Sequence, residues 1–472
     1  MRLLPFLLLI GCAPITRIGD KIIGLTDPVL VGGMVLGVQP PEDEQLAIAL
    51  QASGVFDSTQ VRLVTADALE LRDIDSALLT DALLQLETPE TYPLSVAEDG
   101  WYGLDGPDTP SYIPGRTWTL SAELSDRIAP GTVAVPLPDT ALLDFDPEHA
   151  AKTDLVIPLD GQGFDFVFAT VYDHLGTELW TNAPTTNDAI IDFVLPGGDP
   201  VEEVVIPADA FPEESLYIVG VAGLERAPIE GIEGLNEALT AVLAGRIGLQ
   251  PVVGGSRIAL SGLYLGVEPV PAPLAPLLAS AGFDPSATLE LFLVDLLDMG
   301  AGVGGAVASL DGVAIPEIEP AGHYHLDGLD YAPGQLPRVE IESDLTTASL
   351  VFQPELPGPV DATLPNESVA GSPVEVSLPG GPWAAGLGVV IGPSGLTWSN
   401  LPVQPEEWAA LLSGEGSVDG LTLPASAFAS PGTYAVGVVA LDSQPLALVG
   451  ANPAFSTAMA GQFRFQPLSI VP

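Results

Sequence analysis

Cysteine occurs once in the chain, as Cys12. No intrachain disulfide and no multi-thiolate metal site can therefore form. Lysine is nearly missing as well. Only Lys21 and Lys152 represent it, and 13 Lys+Arg face 62 Asp+Glu, for a formal net charge of -49. Such a field repels phosphate backbones, which excludes nucleic acid as a partner. Histidine is limited to His149, His174, His323 and His325, so bases able to activate a nucleophile are scarce. The chain lacks a Gly-x-Ser-x-Gly elbow, a phosphate-cradling Gly-x-x-x-x-Gly-Lys loop and a His-Glu-x-x-His helix. These are common signatures of hydrolytic and nucleotide chemistry. It also lacks any run of about 18 apolar residues, the length a transmembrane helix needs. Together these absences argue for a protein that is not an enzyme and holds no dedicated cofactor. A carboxylate pair of the glycosidase kind is the one catalytic device that spacing alone would not reveal.

The chain is nevertheless apolar. Of its 472 residues 47% are hydrophobic, and the mean hydropathy is +0.38, which excludes intrinsic disorder despite the charge. The 51 Gly and 47 Pro would break long helices but suit many short strands joined by turns. An acid-rich, lysine-poor surface also predicts a medium with considerable salt or divalent cation, and diffuse binding of calcium or other cations.

An internal duplication organises the sequence. Val35-Leu36-Gly37-Val38 has a counterpart in Tyr264-Leu265-Gly266-Val267, and Trp180-Thr181-Asn182 in Trp398-Ser399-Asn400. Pro207-Ala208-Asp209-Ala210-Phe211 returns as Pro424-Ala425-Ser426-Ala427-Phe428. Ala244-Gly245-Arg246-Ile247-Gly248-Leu249-Gln250-Pro251 returns as Ala460-Gly461-Gln462-Phe463-Arg464-Phe465-Gln466-Pro467. The pairs keep one order at a spacing of roughly 216–229 residues, the mark of a tandem repeat. Each half divides again, giving β-rich modules over 25–130 and 258–347, each followed by a sandwich module over 131–257 and 348–472. Pro114-Gly115 and Pro333-Gly334 set matched turns. Leu155–Leu159 and Val374–Leu378 read as matched strands. Phe164, Phe166 and Phe168 fall on one face at period two. Short helices are expected over Asp73–Leu86 and Asn236–Leu243. The fold class is therefore all-β, a duplicated two-module unit of β-sandwiches with a few helical turns. In the spacing of its short strands the back module resembles bacterial immunoglobulin-like or fibronectin-like sandwich domains.

The amino terminus reads Met1-Arg2-Leu3-Leu4-Pro5-Phe6-Leu7-Leu8-Leu9-Ile10-Gly11-Cys12-Ala13: one positive charge, a short apolar stretch, then a small residue. Leu9-Ile10-Gly11-Cys12 resembles the lipobox of bacterial lipoproteins. That resemblance implies a signal peptide over 1–11, cleavage before Cys12, lipidation of Cys12, and a tether over 12–24. It makes the membrane a partner through acyl chains, each buried methylene contributing about 0.8 kcal/mol. Ala13 follows in place of a retention Asp, which favours the outer membrane by analogy with lipoprotein sorting.

Two constellations could carry chemistry. His323 and His325 lie two apart, so on a strand both imidazoles point to one side, with Asp327 or Glu319 as a third metal ligand. The duplicated half holds Trp101-Tyr102-Gly103 there instead. Asp144, Asp146 and Glu148 alternate like a calcium loop but lack its bending glycine. The expectation is a lipid-anchored envelope protein with a structural or binding role, its partner a protein or a glycan. The alternatives are a carbohydrate-binding or adhesive surface protein and a metal-dependent enzyme using His323 and His325.

Overall fold

The computed structural model describes residues 29–39, 59–67, 78–88, 90–97, 101–104, 109–124, 128–140, 145–159, 164–183, 201–228, 241–298, 301–346, 349–402, 407, 411 and 417–472. The chain divides into two compact units, 1–212 with 216–252, and 213–215 with 253–472. Cys12 and Asp144 lie outside the described residues.

The first unit is built on β1 (Val29–Val38), β2 (Gln60–Asp67), β3 (Tyr102–Leu104), β4 (Phe166–Asp173), β5 (Glu178–Thr181), β6 (Leu216–Pro228) and β7 (Ala241–Gly254). They form one large sheet in the order β5-β4-β6-β7-β1-β2-β3, continued by Ser95–Val96. The second unit is built on β8 (Ile258–Val267), β9 (Ala287–Asp295), β10 (His323–Leu329), β11 (Ala385–Gly392), β12 (Gly395–Ser399), β13 (Gly432–Pro445) and β14 (Thr457–Val471). Its large sheet runs β12-β11-β13-β14-β8-β9-β10, continued by Glu317–Ile318. Strand for strand, the two orders agree.

The repeated Leu-Gly-Val segments lie at the centre of this arrangement. β1 pairs with β7 in parallel, Gly37 opposite Arg246, and β8 pairs with β14 in parallel, Gly266 opposite Gln462. These strands are buried on both faces, which explains their nearly unbroken apolar sequences, VLVGGMVLGV and IALSGLYLGV. At Gly37 an added Cβ would lie 2.1 Å from Cγ of Tyr112, and at Gly266 it would lie 2.2 Å from Cγ of Tyr331. A tyrosine ring rests on bare backbone in both units, so no larger residue fits. Tyr112 donates its hydroxyl to the Pro138 carbonyl at 2.8 Å and Tyr331 donates to that of Pro357 at 2.9 Å.

Two smaller sheets cover each large one. In the first unit a four-stranded sheet over 83–136 and the pair Leu155–Pro158/Glu203–Ile206 do so. In the second the equivalents lie over 307–352 and at Val374–Ser377/Gly420–Leu423. Separate apolar cores fill the spaces, with Val35, Tyr102, Trp118 and Leu120 in one and Ile157, Val171, Phe211 and Val219 in the other. The second unit repeats both around Leu291, Tyr324 and Ile341, and around Val376, Phe428 and Val436. It has a further core on the opposite face of the sheet, where Leu274 and Leu278 of the helical segment α1 (Ala275–Ser280) and its approach meet Leu263, Leu387 and Phe463.

Three sequence expectations need correction. Ala241–Leu243, expected to end a helix, open strand β7, because pairing with Gly32–Met34 outweighs the local propensity of an Ala/Leu run. Residues 236–240 lie outside the described residues. In the other expected helix, Leu83–Leu86 belong to a strand that pairs with Leu120–Glu123, burying Leu84 and Leu86. Its residues 73–77 lie outside the described residues. The three phenylalanines do not share a face. A bend at Asp165 turns the chain, so Phe164 joins the core of Val167, Ala169 and Val171, while Phe166 and Phe168 point away from it.

Candidate functional site

Strand β9 places the site. Along it Ala287, Leu289, Leu291 and Leu293 enter the core, and Thr288, Glu290 and Phe292 therefore occupy the opposite face. Antiparallel pairing sets His325 opposite Glu290 and His323 opposite Phe292. The carboxylate of Glu290 spans both rings: Oε2 lies 2.7 Å from His323 Nε2, and Oε1 lies 2.7 Å from His325 Nδ1. His325 Nε2 meets Asp327 Oδ2 at 2.7 Å. Phe292 stacks on the His323 ring with centroids 4.3 Å apart and planes at 18°. Glu290 and His323 keep 13% and 12% of their side chains exposed, His325 keeps 29%, and Asp327 keeps 61%.

Burial pulls the His325 ring down, but the hydrogen bond to Asp327 and the charge of Glu290 outweigh it and hold the ring above the ordinary imidazole value. Between them, Tyr324 points into the core. It accepts a hydrogen bond from the Ala306 amide at 3.0 Å and donates to the Val303 carbonyl at 3.2 Å. Tyr102 does the same in the first unit with Ala82 and Leu79, at 2.8 and 3.2 Å.

The structure thus brings His323, His325 and Asp327 together, but in a row. Asp327 sits on the far side of His325, at the ring nitrogen turned away from Glu290. Alternating imidazoles and carboxylates suit proton sharing better than convergence on one ion. Among the described residues, no group of three or more His, Cys, Asp or Glu is placed to hold a metal ion. Glu319 is exposed on the turn before β10. Asp146 uses Oδ1 to accept the Glu148 amide at 2.9 Å, which closes its own turn.

A second acidic region is a shallow cleft of about 270 Å³ lined by Asp295, Asp298, Ser343, Asp344 and the glycine-rich backbone at 302–305. Its acids are already engaged where they are most buried. Asp295 accepts Arg257 Nε at 3.0 Å and NH2 at 2.5 Å. Close by, Glu317 accepts the amides of Gly322 and Gly305, each at 2.9 Å, which holds its carboxyl below the usual range. Among the described residues no buried side-chain nitrogen or oxygen lacks a hydrogen-bond partner.

Glu290 and Phe292 were not singled out by sequence reasoning. The alternation Leu289-Glu290-Leu291-Phe292-Leu293 does put both on one face, but the register that aligns them with two histidines more than thirty residues away has no local signal.

No protein-family model and no curated protein matches the chain. Among solved structures it is similar to Drosophila OTK extracellular domains 3–5, at 9% identity and a TM-score of 0.21, covering 74% of this chain and 99% of that one. It is also similar to the ectodomain Ig1–Ig3 of mouse nectin-like molecule 4, at 9% identity and a TM-score of 0.17, covering 68% and 96%. The chicken CNTN1 FN1–FN3 domains overlap at 9% identity and a TM-score of 0.17, covering 71% and 99%. Overlaps this shallow carry nothing about sites or activity.

Proposed function

We propose that this chain is an exported, lipid-anchored envelope protein whose duplicated β-sandwich unit serves as a structural or binding arm. One observation carries the reading: the motifs that recur between the halves all serve to hold the sheets. Gly37 and Gly266 seat tyrosine rings. Asn182 accepts the Ala169 amide at 2.7 Å and donates to the Val167 carbonyl at 2.7 Å, extending β5 along its neighbour. Asn400 repeats this with Gly388 and Gly386 at 2.6 and 3.1 Å. Phe211 packs edge-on against Tyr217 at 5.2 Å, and Phe428 against Tyr434 at 5.4 Å. Selection that retains only scaffolding fits a repeated arm, where each unit adds reach or valency.

Leu9-Ile10-Gly11-Cys12 supports the anchor, and Ala13 supports an outer-membrane destination. The charge of -49 supports diffuse cation binding in a salty medium. Radioactive palmitate supplied to cells making the wild type and Cys12→Ala tests the anchor. Label should enter the wild type and be absent from the variant, and equal incorporation would overturn the reading. A glycan array and a cell-attachment assay on the purified chain separate a binding arm from a passive spacer.

A further inference from the structure

One recurring motif does more than pair strands: the segment that ends in Gln250-Pro251 and again in Gln466-Pro467. It lies on β7 and β14, where alternate residues share one face. On that face Val242 and Ala244 enter the core around Trp118, and Val252 enters the core around Phe211. In the second unit Ala458 and Ala460 enter the core around Tyr324, and Leu468 and Ile470 the core around Phe428. Between the two cores the same face turns polar. It carries Arg246 and Gln250 in the first unit, and Gln462, Arg464 and Gln466 in the second.

The connector that leads from one small sheet to the other meets these side chains. Gln250 donates from Nε2 to the Phe145 carbonyl and Gln466 to the Ala362 carbonyl, each at 3.0 Å. Arg246 donates to Asp139 at 2.9 Å. Arg464 donates to Asp361 and, at 2.6 Å, to Glu268. Further along, the connector pairs with the same strand, through Glu148–His149 on β7 and Glu367–Val369 on β14.

We propose that each connector is a strap and that Gln250 and Gln466 are its buckles. They are positioning residues that fasten the connector to the one strand both cores share, and they do so without charge. The glutamines occupy matched places in the two repeats. The arginines do not, since Arg246 matches Gln462 and Arg464 matches Gly248. The acids that the arginines reach on the connector are open to solvent, Asp139 at 63% and Asp361 at 87%. Salt at 1 M screens charges beyond about 3 Å and weakens such pairs, but it leaves a bond between two neutral groups in place. In a chain charged to -49, a neutral buckle is the part that holds when cations crowd the surface. The strap does not depend on the lipid anchor, so a failed palmitate test leaves it standing.

Hydrogen exchange on the full chain tests the strap, read at Ala362 and Thr363 in about 0.05 M and about 1 M salt. Their amides donate to the Val360 and Ser377 carbonyls. Gln466→Met keeps the side-chain length and removes the donor. It should speed exchange of both amides about five- to tenfold at either salt concentration. Arg464→Met should speed it at low salt and by less than about twofold at high salt. Unchanged exchange in Gln466→Met, or an effect that vanishes at high salt, would overturn the strap. Equal acceleration in the strands Leu350–Phe352 and Val374–Ser377 would do the same, because the sandwich and not the strap would have loosened. Should Gln466→Met fail to fold, nuclear magnetic resonance of the wild type decides. The side-chain amide hydrogens of Gln466 should exchange about tenfold more slowly than those of the exposed Gln335, and equal rates would overturn the strap.

Discussion

The two units share a sheet order, a parallel central pair and a glycine seated under a tyrosine, yet they differ where β2–β3 and β9–β10 present their outer faces. Arg62, Trp101 and Gly103 stand in the first unit where Glu290, His323 and His325 stand in the second. Duplication has kept the parts that close the fold and released the surface of one edge. The buried tyrosine between the diverged positions, Tyr102 or Tyr324, makes the same two hydrogen bonds in both. Divergence on the outer face therefore did not disturb the inner one, as the alternation of a strand allows.

The strongest way to break the comparison is at the shared glycines. Gly37→Ala and Gly266→Ala each force a Cβ into a tyrosine ring, and each should lower stability by about 2–3 kcal/mol in urea denaturation. Adding Tyr331→Ala to Gly266→Ala should cost less than the sum of the two, because the ring that clashes is gone. Full additivity would show that the seat is not shared. Asn182→Ala and Asn400→Ala each remove two hydrogen bonds from a sheet edge. Thermal unfolding of each should report a loss of about 1–2 kcal/mol, and a marked difference between the two would show that the edges carry unequal weight. The smallest effect belongs to an exposed pair that has diverged. Val156 and Val205 face each other at 49% and 46% exposure, where the second unit has Glu375 accepting the Thr422 hydroxyl at 2.8 Å. Exchanging Val156→Glu with Val205→Thr should alter stability by no more than about 0.5 kcal/mol. A larger loss would mean that another surface covers the valines.

Much of the scaffold was legible because it leaves local marks. Pro114-Gly115 and Pro333-Gly334 announce their turns, and both glycines take φ of 79°. Val374–Ser377 alternates apolar and polar residues, and both it and its counterpart Leu155–Pro158 do pair as strands. Legibility failed where a strand is buried on both faces. Ala241–Leu243 has no alternation to show, and its pairing with β1 makes it a strand. It failed again at the candidate site. Spacing correctly placed both histidines on one side of β10, but the intervening carboxylate comes from β9, and cross-strand register is a tertiary fact. With Glu290 between the rings, imidazoles and carboxylates alternate in a row, His323, Glu290, His325 and Asp327.

The parallel pairing of β1 with β7, and of β8 with β14, bears on how such a molecule would carry tension. In each unit these strands lie near the beginning and the end of the repeat, bonded side by side from Gly32 to Val38 and from Ser261 to Val267. Traction applied to the start of the first strand and the finish of its mate would slide one along the other. All the cross-links between them would then bear the load together, whereas a hairpin pulled from its open end gives way one rung at a time. A repeat of this build is suited to bear a pull along its strands.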